Sequence, residues 1–165
     1  MKNIRKIYYD DIFIKNILSN TNTIAIVGLS DKENRPSYFA AKYLKNKGFK
    51  ILPINPITKK KTILGERVFK SLKALSFVPD MVDLFVKQEK IENFVNEALE
   101  IKTKTIWLQL GLIDKKGEKK AKESGINFIM NRCPKIEFAS LSGELGWAGI
   151  NSDVISNKRF LFKNG

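Results

Sequence analysis

TIAIVG, residues 23–28, is a short run of β-branched and small apolar residues that ends at a glycine. Such a run is typical of a strand that is buried on both faces of a sheet and followed by a tight turn. Pro36 and Ser37 come a few residues later, and both residue types favour the start of a helix. The stretch therefore predicts a strand, a loop and a helix in succession, which is the repeating unit of a parallel α/β sheet.

The same alternation recurs along the chain on both sides of this stretch. Further strands are predicted at 49–54, 81–86, 105–110 and 126–130, and helices at 10–20, 36–47, 89–101 and 114–125. Because crossovers between parallel strands are right-handed, the pattern predicts a Rossmann-like, doubly wound α/β fold with a five-stranded parallel sheet, helices on both faces and the strand order 3-2-1-4-5. A chain of 165 residues has the size of a single domain. We expect an N-terminal helix within residues 1–20 and a C-terminal tail, residues 131–165, that wraps over the sheet.

The composition limits the kind of chemistry and ligand. The chain has 30 Lys and Arg against 17 Asp and Glu, a formal net charge of +13 that favours an anionic ligand. It contains no histidine, which removes Ser-His and Cys-His nucleophile pairs, imidazole metal sites and a phosphohistidine relay. Cys133 is the single cysteine, and we find neither a membrane-spanning apolar run nor a signal peptide. We therefore expect a cytoplasmic protein with no membrane partner.

Ligands of open parallel sheets bind beyond the carboxyl ends of the strands. Those ends are predicted at 28–30, 55–56, 86–87, 109–111 and 131–133. After the first strand, the start of the next helix offers free N–H groups and a favourable dipole to a phosphate, with Arg35 beside it. This loop lacks the G-x-G-x-x-G fingerprint, so its pattern also fits an ordinary strand-to-helix turn.

The end of the second strand bears on the choice of ligand. A site for NAD needs an acidic residue near this end to accept hydrogen bonds from the ribose. No Asp or Glu occurs between Glu33 and Glu66, a stretch that instead carries Arg35 and seven lysines. NAD is therefore disfavoured, and a ligand with an additional phosphate on its ribose is favoured. NADP and coenzyme A (CoA) both meet that description, while the run Lys59–Lys61 also fits a solvated loop.

Several further stretches follow TIAIVGLS (23–30) in a characteristic order. They are RPSYFAAKYL (35–44), KGFKILPINP (47–56), LGERVFKSL (64–72), PDMVDLF (79–85), IWLQLGL (106–112), NRCPKIEF (131–138) and GELGWAGINSDVIS (143–156). Together they resemble the small single-domain CoA-binding proteins, whose domain is similar to the first domain of the succinyl-CoA synthetase α subunit. Two positions differ from the common family pattern. Asn131 replaces a frequent Asp, and Lys102 replaces a frequent Gly, which costs roughly 1 kcal/mol if its backbone is left-handed.

The resemblance implies that CoA or an acyl-CoA binds at the carboxyl ends of the strands. On the phosphate side, the residues implied to face the pyrophosphate or to start the adjacent helix are Gly28, Leu29, Ser30, Arg35, Pro36 and Ser37. The residues implied to border the adenosine, the crevice between strands three and one, and the pantetheine are Pro53, Asn55 and Pro56, then Val86 and Lys87, then Gln109 and Gly111. We expect the backbone at Gly28 to approach the pyrophosphate, so that a side chain there would block binding.

No catalytic constellation is evident. Cys133 has no histidine to activate it, although Arg132 beside it could lower its pKa; we interpret it as a structural thiol. Asp80 and Asp83 are interpreted as turn or edge residues flanking the third strand, and no metal-ligand spacing occurs. We therefore predict a non-catalytic CoA-binding protein, compatible with a sensor or regulator. The alternatives are an NADP-dependent reductase or another nucleotide-binding protein, and, less favoured, a nucleic-acid binder. A protein partner or a homo-oligomer stays open.

Overall fold

The computed structural model describes residues 7–143 and contains an α/β sheet with helices on both faces. The strands are β1 Thr23–Val27, β2 Lys50–Ile54, β3 Thr62–Ile63, β4 Glu66–Arg67, β5 Met81–Leu84, β6 Thr105–Leu108 and β7 Asn127–Ile129. The α-helices are α1 Asp11–Ser19, α2 Pro36–Asn46, α3 Ile91–Glu100, α4 Lys115–Glu123 and α5 Pro134–Leu141, and short 3₁₀ turns span Leu72–Ala74 and Gln88–Lys90. The predicted Rossmann-like fold class is confirmed.

The main sheet has five parallel strands in the order β2-β1-β5-β6-β7, which is 2-1-3-4-5 when only its own strands are counted. The predicted order 3-2-1-4-5 is therefore wrong. Pro53 explains part of the difference. The Lys50 N–H and the Ile54 carbonyl form hydrogen bonds on the β1 side of the strand. Because backbone groups alternate along a strand, those of Pro53 point away from β1, and its carbonyl accepts the Phe69 N–H. Since proline has no N–H to donate, β2 suits an edge of the sheet and not its interior.

Asp80 connects the start of β5 to the start of β1 through hydrogen bonds. Its Oδ2 accepts the N–H groups of Asn22 at 2.8 Å and Thr23 at 3.1 Å. In return, the Asp80 N–H donates to Thr23 Oγ1 at 2.8 Å. Although partial burial opposes ionisation, these two backbone hydrogen bonds and Lys104 lower the pKa of Asp80. This turn residue aligns the entry of β5 with that of β1, on the side away from β2.

Two apolar layers cover the sheet. Side chains of α3 and α4 pack with Val27, Leu84 and Leu108 on one face. Side chains of α1, α2 and α5 pack with Ile26, Trp107 and their neighbours on the other face. The fold is thus doubly wound, as the alternation of elements predicts.

The beginning of the predicted tail is part of this second layer. Residues 134–141 form α5, which packs against α1 and α2, whereas the sequence indicated a less regular segment. The rest of the tail, including the resemblance at 144–156, lies outside the described residues, as do residues 1–6. Lys102 has φ 57°, so the backbone cost expected from its replacement of a glycine applies.

Candidate functional site

The strand order creates a switch point between β1 and β5. The chain leaves β1 toward β2 on one side, while it leaves β5 toward β6 on the other side, which opens a crevice at the carboxyl ends of these two strands. Two adjoining clefts occupy it, with volumes of about 510 Å³ and about 370 Å³. Gly28, Ser30, Phe85 and Val86 line both clefts. The crevice is therefore continuous across the switch point.

We call the larger space the β2-side cleft and the smaller one the β6-side cleft. Besides the shared residues, the β2-side cleft is lined by Val27, Asp31, Asn55, Pro56, Ile57, Thr58, Lys87, Lys90 and Phe94. The β6-side cleft adds Arg35, Pro36, Ser37, Gln109, Leu110 and Leu112. Ten of the thirteen site residues implied by the resemblance thus line the crevice.

The other three residues lie outside the lining of the two clefts. The Leu29 side chain is fully buried in the apolar layer under α2. Pro53 is buried within the edge strand β2. Gly111 lies in an exposed turn after β6, where its N–H donates to Asn131 Oδ1 at 2.7 Å. Asn131 therefore serves this turn as a neutral acceptor.

Side-chain hydrogen bonds fix the two loops that form the β2-side cleft. Asn55 donates from Nδ2 to the Leu29 carbonyl at 2.9 Å, and its Oδ1 accepts the N–H groups of Ile57 and Thr58 at 2.9 and 3.0 Å. Thr58 Oγ1 in turn donates to Asp31 Oδ2 at 2.6 Å. Asn55 is consequently a brace between the first and second strand ends as well as a wall residue.

Asp31 is a site residue that the sequence reasoning missed. The sequence has no acid between Glu33 and Glu66, near the second strand end, whereas Asp31 reaches this cleft from the loop after β1. Its proximity depends on the contact with Thr58, which is 27 residues away along the chain. The position of Asp31 directly after the first strand end was the available signal.

Gly28 has a structural role in addition to lining the crevice. Its φ is +83°, and a Cβ atom built on it would lie 2.1 Å from the Phe85 carbonyl oxygen. The missing side chain therefore points at the backbone that follows β5. Glycine is required here because the turn after β1 packs closely on that backbone. A side chain at this position would therefore disturb the fold as well as the crevice that Gly28 lines.

The crevice is surrounded by groups that attract anions. The N-cap residue of α2, Arg35, is exposed and its side chain makes no capping hydrogen bond, and the first turn of the helix has no acidic residue. The Ser30 N–H beside it donates to Ser37 Oγ at 3.0 Å. Beyond the β2-side cleft, a further groove of about 780 Å³ shares Ile57 and Thr58 with it. The basic residues of this groove are Lys59, Lys60, Lys61, Arg67 and Lys70.

Asp83 lies in the sheet and is fully buried, so its interpretation as a turn or edge residue is wrong. Gln109 Nε2 donates to Asp83 Oδ1 at 2.6 Å. Burial raises the pKa of Asp83 to about 7, although this hydrogen bond lowers it in part. Burial also raises the pKa of the Cys133 thiol. The guanidinium of Arg132, which precedes Cys133 in the sequence, donates hydrogen bonds to the Glu137 carboxylate and to the Ile7 carbonyl.

An open parallel sheet with an anion-attracting crevice at its switch point defines a Rossmann-like nucleotide-binding domain. Residues 22–139 match the family described as CoA binding domain, and the chain belongs to that family. It is 34% identical over 126 residues to the uncharacterized protein YneT of Bacillus subtilis, covering 76% of this chain and 92% of YneT.

Two solved structures are similar throughout most of their length. The structure of cell-free ID.343 from Thermus thermophilus has 30% identity and a TM-score of 0.75, with 80% of this chain and 98% of that chain covered. A hypothetical protein from Pyrococcus horikoshii OT3 has 32% identity and a TM-score of 0.76, with 85% and 98% covered. Within residues 7–143, no helix is long and apolar enough to cross a membrane, and no group of three or more acidic or cysteine side chains is placed to hold a metal ion.

Proposed function

We propose that the protein binds CoA or an acyl-CoA in the crevice at the carboxyl ends of β1 and β5, without catalysing a reaction of its own, and acts as a sensor or regulator. The observation that carries this proposal is the continuity of the two clefts past Gly28 and Val86. Membership of the CoA-binding domain family supports the choice of ligand.

The two ends of the crevice differ in the way that the two ends of CoA differ. The β2-side cleft continues into the groove with five basic residues, which suits the phosphates of a 3′-phosphorylated adenosine. The β6-side cleft offers Phe85, Leu112 and Leu110, whose side chain is 59% exposed. Apolar surface of this kind suits pantetheine or a short acyl chain. The start of α2, where Arg35, Pro36 and Ser37 line the β6-side cleft next to the shared residue Ser30, suits the pyrophosphate.

The absence of catalysis is proposed from the groups available in the crevice. Acyl transfer or thioester hydrolysis needs an activated nucleophile or a positioned general base. Asp31 lines the crevice, and its carboxylate accepts a hydrogen bond from the Thr58 hydroxyl. Cys133 does not line either cleft, and burial raises the pKa of its thiol. A protein that binds CoA without consuming it is suited to a sensor role, because the CoA concentration then sets the bound fraction of the protein and, through it, the stability or the contacts of the protein.

Calorimetric titration with CoA tests the proposal. Val86 lines both clefts, so Val86→Trp is expected to fill the crevice and abolish binding. Val78→Trp is the matched control, since Val78 is 52% exposed in a loop away from the clefts. Both variants should keep the circular dichroism of the wild type. Equal CoA affinity in the two folded variants, or tighter binding of NADP than of CoA to the wild type, would contradict the proposal.

A further inference from the structure

Asp83 is an unusual residue for the centre of a parallel sheet. It lies in β5 between Ile26 of β1 and Trp107 of β6, with no exposed surface. Its Oδ1 accepts one hydrogen bond from Gln109, while its buried Oδ2 has no hydrogen-bond partner among residues 7–143. An ionised carboxylate with one hydrogen bond in such a place is costly, whereas the neutral acid is tolerated.

Gln109 connects this buried acid to the crevice. Its side chain donates to Asp83, and the residue also lines the β6-side cleft next to Leu110. The cleft continues to the start of α2 at Arg35 and Ser37. Gln109 therefore contacts Asp83 on one side and borders the space for a ligand on the other.

Within residues 7–143, burial and the hydrogen bond from Gln109 set the pKa of Asp83, and no charged side chain is among the causes. The titratable group that responds to it is the Cys133 thiol, whose pKa is raised by burial and further by the Asp83 charge. The buried residues that α1, α2 and α5 contribute to the layers around the sheet carry no charge; they are Ile14, Ile17, Leu18, Ser37, Ala40, Ala41, Leu44, Pro134, Phe138 and Ala139. A charge bound in the crevice would therefore act on a carboxyl that no basic side chain of residues 7–143 balances.

We propose that the Asp83–Gln109 pair couples ligand binding to proton uptake, so that an anion in the crevice binds tightly when Asp83 is neutral and more weakly when Asp83 is ionised. This inference rests on the proposed function because it needs an anionic ligand in the crevice. The physical reason is repulsion across Gln109, since a bound anion and a buried carboxylate are like charges in a poorly solvated region.

The direction of the effect follows from linkage. The ligand-free protein has an Asp83 pKa of about 7, and a bound anion raises that pKa further. Affinity is then highest below pH 7 and falls as the pH rises through 7 toward the pKa of the complex. A coupling of ordinary size between two sites makes this fall roughly 5-fold to 150-fold.

The test is calorimetric titration of CoA at about pH 6 and about pH 8.5, on either side of the titration, in buffers that differ in ionisation enthalpy. The variant Asp83→Asn keeps the shape of the neutral acid and cannot ionise. CoA phosphates titrate equally in both experiments, so the difference between wild type and Asp83→Asn isolates Asp83. We expect the wild type to take up more protons and to lose affinity at the higher pH, and Asp83→Asn to bind at both pH values as tightly as the wild type does at the lower one.

A second variant separates the coupling from a structural role. Gln109→Met keeps the approximate length of the side chain and removes the hydrogen bond that lowers the pKa of Asp83. The pH at which affinity falls should therefore move upward in Gln109→Met. An unchanged midpoint would overturn the role of the pair.

The stability of the ligand-free protein provides an independent readout. Because the folded-state pKa of Asp83 is raised, its contribution to stability should fall as the pH rises from about 4 to about 7. The free energy of unfolding of the wild type should therefore fall over this range relative to that of Asp83→Asn. The same pH dependence of CoA affinity in wild type and Asp83→Asn would overturn the coupling alone. Failure of every variant to bind CoA at either pH would overturn the proposed function and the coupling with it, even if the two stability profiles differ.

Discussion

Substitution of Gly28 by alanine should destabilise the fold through two separable effects. The first is backbone strain, because φ is +83° and an L-residue in the left-handed region costs about 1–2 kcal/mol. The second is a collision, because the new Cβ would lie 2.1 Å from the Phe85 carbonyl oxygen, which is backbone and cannot rotate away. Forced shifts of this kind cost about 1–3 kcal/mol, so the free energy of unfolding should fall by about 2–5 kcal/mol.

Gly48→Ala is the matched control for this prediction. Gly48 has φ +96°, and a Cβ built on it meets nothing within 4 Å, so only the strain of about 1–2 kcal/mol applies. Urea denaturation of wild type and both variants, analysed by linear extrapolation, measures the two losses. A Gly28→Ala variant that loses no more stability than Gly48→Ala would refute the close packing of the β1 turn on the end of β5.

Three further outcomes are expected. Lys102→Gly should raise the free energy of unfolding by roughly 1 kcal/mol in the same assay, because φ at this position is 57°; a loss of stability would show that the lysine side chain has a compensating role. Asp80→Asn should lower the free energy of unfolding by about 1 kcal/mol at neutral pH. Because the pKa of Asp80 is lowered in the folded state, this loss should shrink as the pH falls from the unfolded-state pKa near 4 toward the lower folded-state pKa. A loss that is independent of pH would contradict this. Wild type and Cys133→Ser should both hydrolyse acyl-CoA at background rates, because burial raises the pKa of the thiol; a rate present only in the wild type would make Cys133 a nucleophile.

The parts of the fold that sequence predicts well are those with simple periodicity. The run at 23–28 forms β1 and its turn, because a short run of β-branched and small apolar residues is typical of a strand that is buried on both faces of a parallel sheet. The order of the strands also left a trace in the sequence, since Pro53 belongs on an edge. By contrast, α5 buries Pro134, Phe138 and Ala139 without a continuous apolar stripe, so its helical period was not apparent.

The site was predictable where it follows from topology and unpredictable where it follows from loops. Any doubly wound sheet presents its strand ends at one edge, which is why Ser30, Asn55 and Val86 converge. The contact between Asp31 and Thr58 depends on the shapes of two loops. Asp83 was misplaced because a charged residue within a short apolar strand is far more often exposed than fully buried.

Native mass spectrometry of the purified protein tests the central claim most directly. The protein should retain, or take up from solution in preference to dephospho-CoA, one CoA or acyl-CoA per chain. A charge-assisted contact to the 3′-phosphate is worth about 1.5–3 kcal/mol, which corresponds to a preference of roughly 10-fold to 150-fold. A folded protein that carries only NADP, or that leaves added CoA unbound, would contradict the assignment of this crevice to CoA.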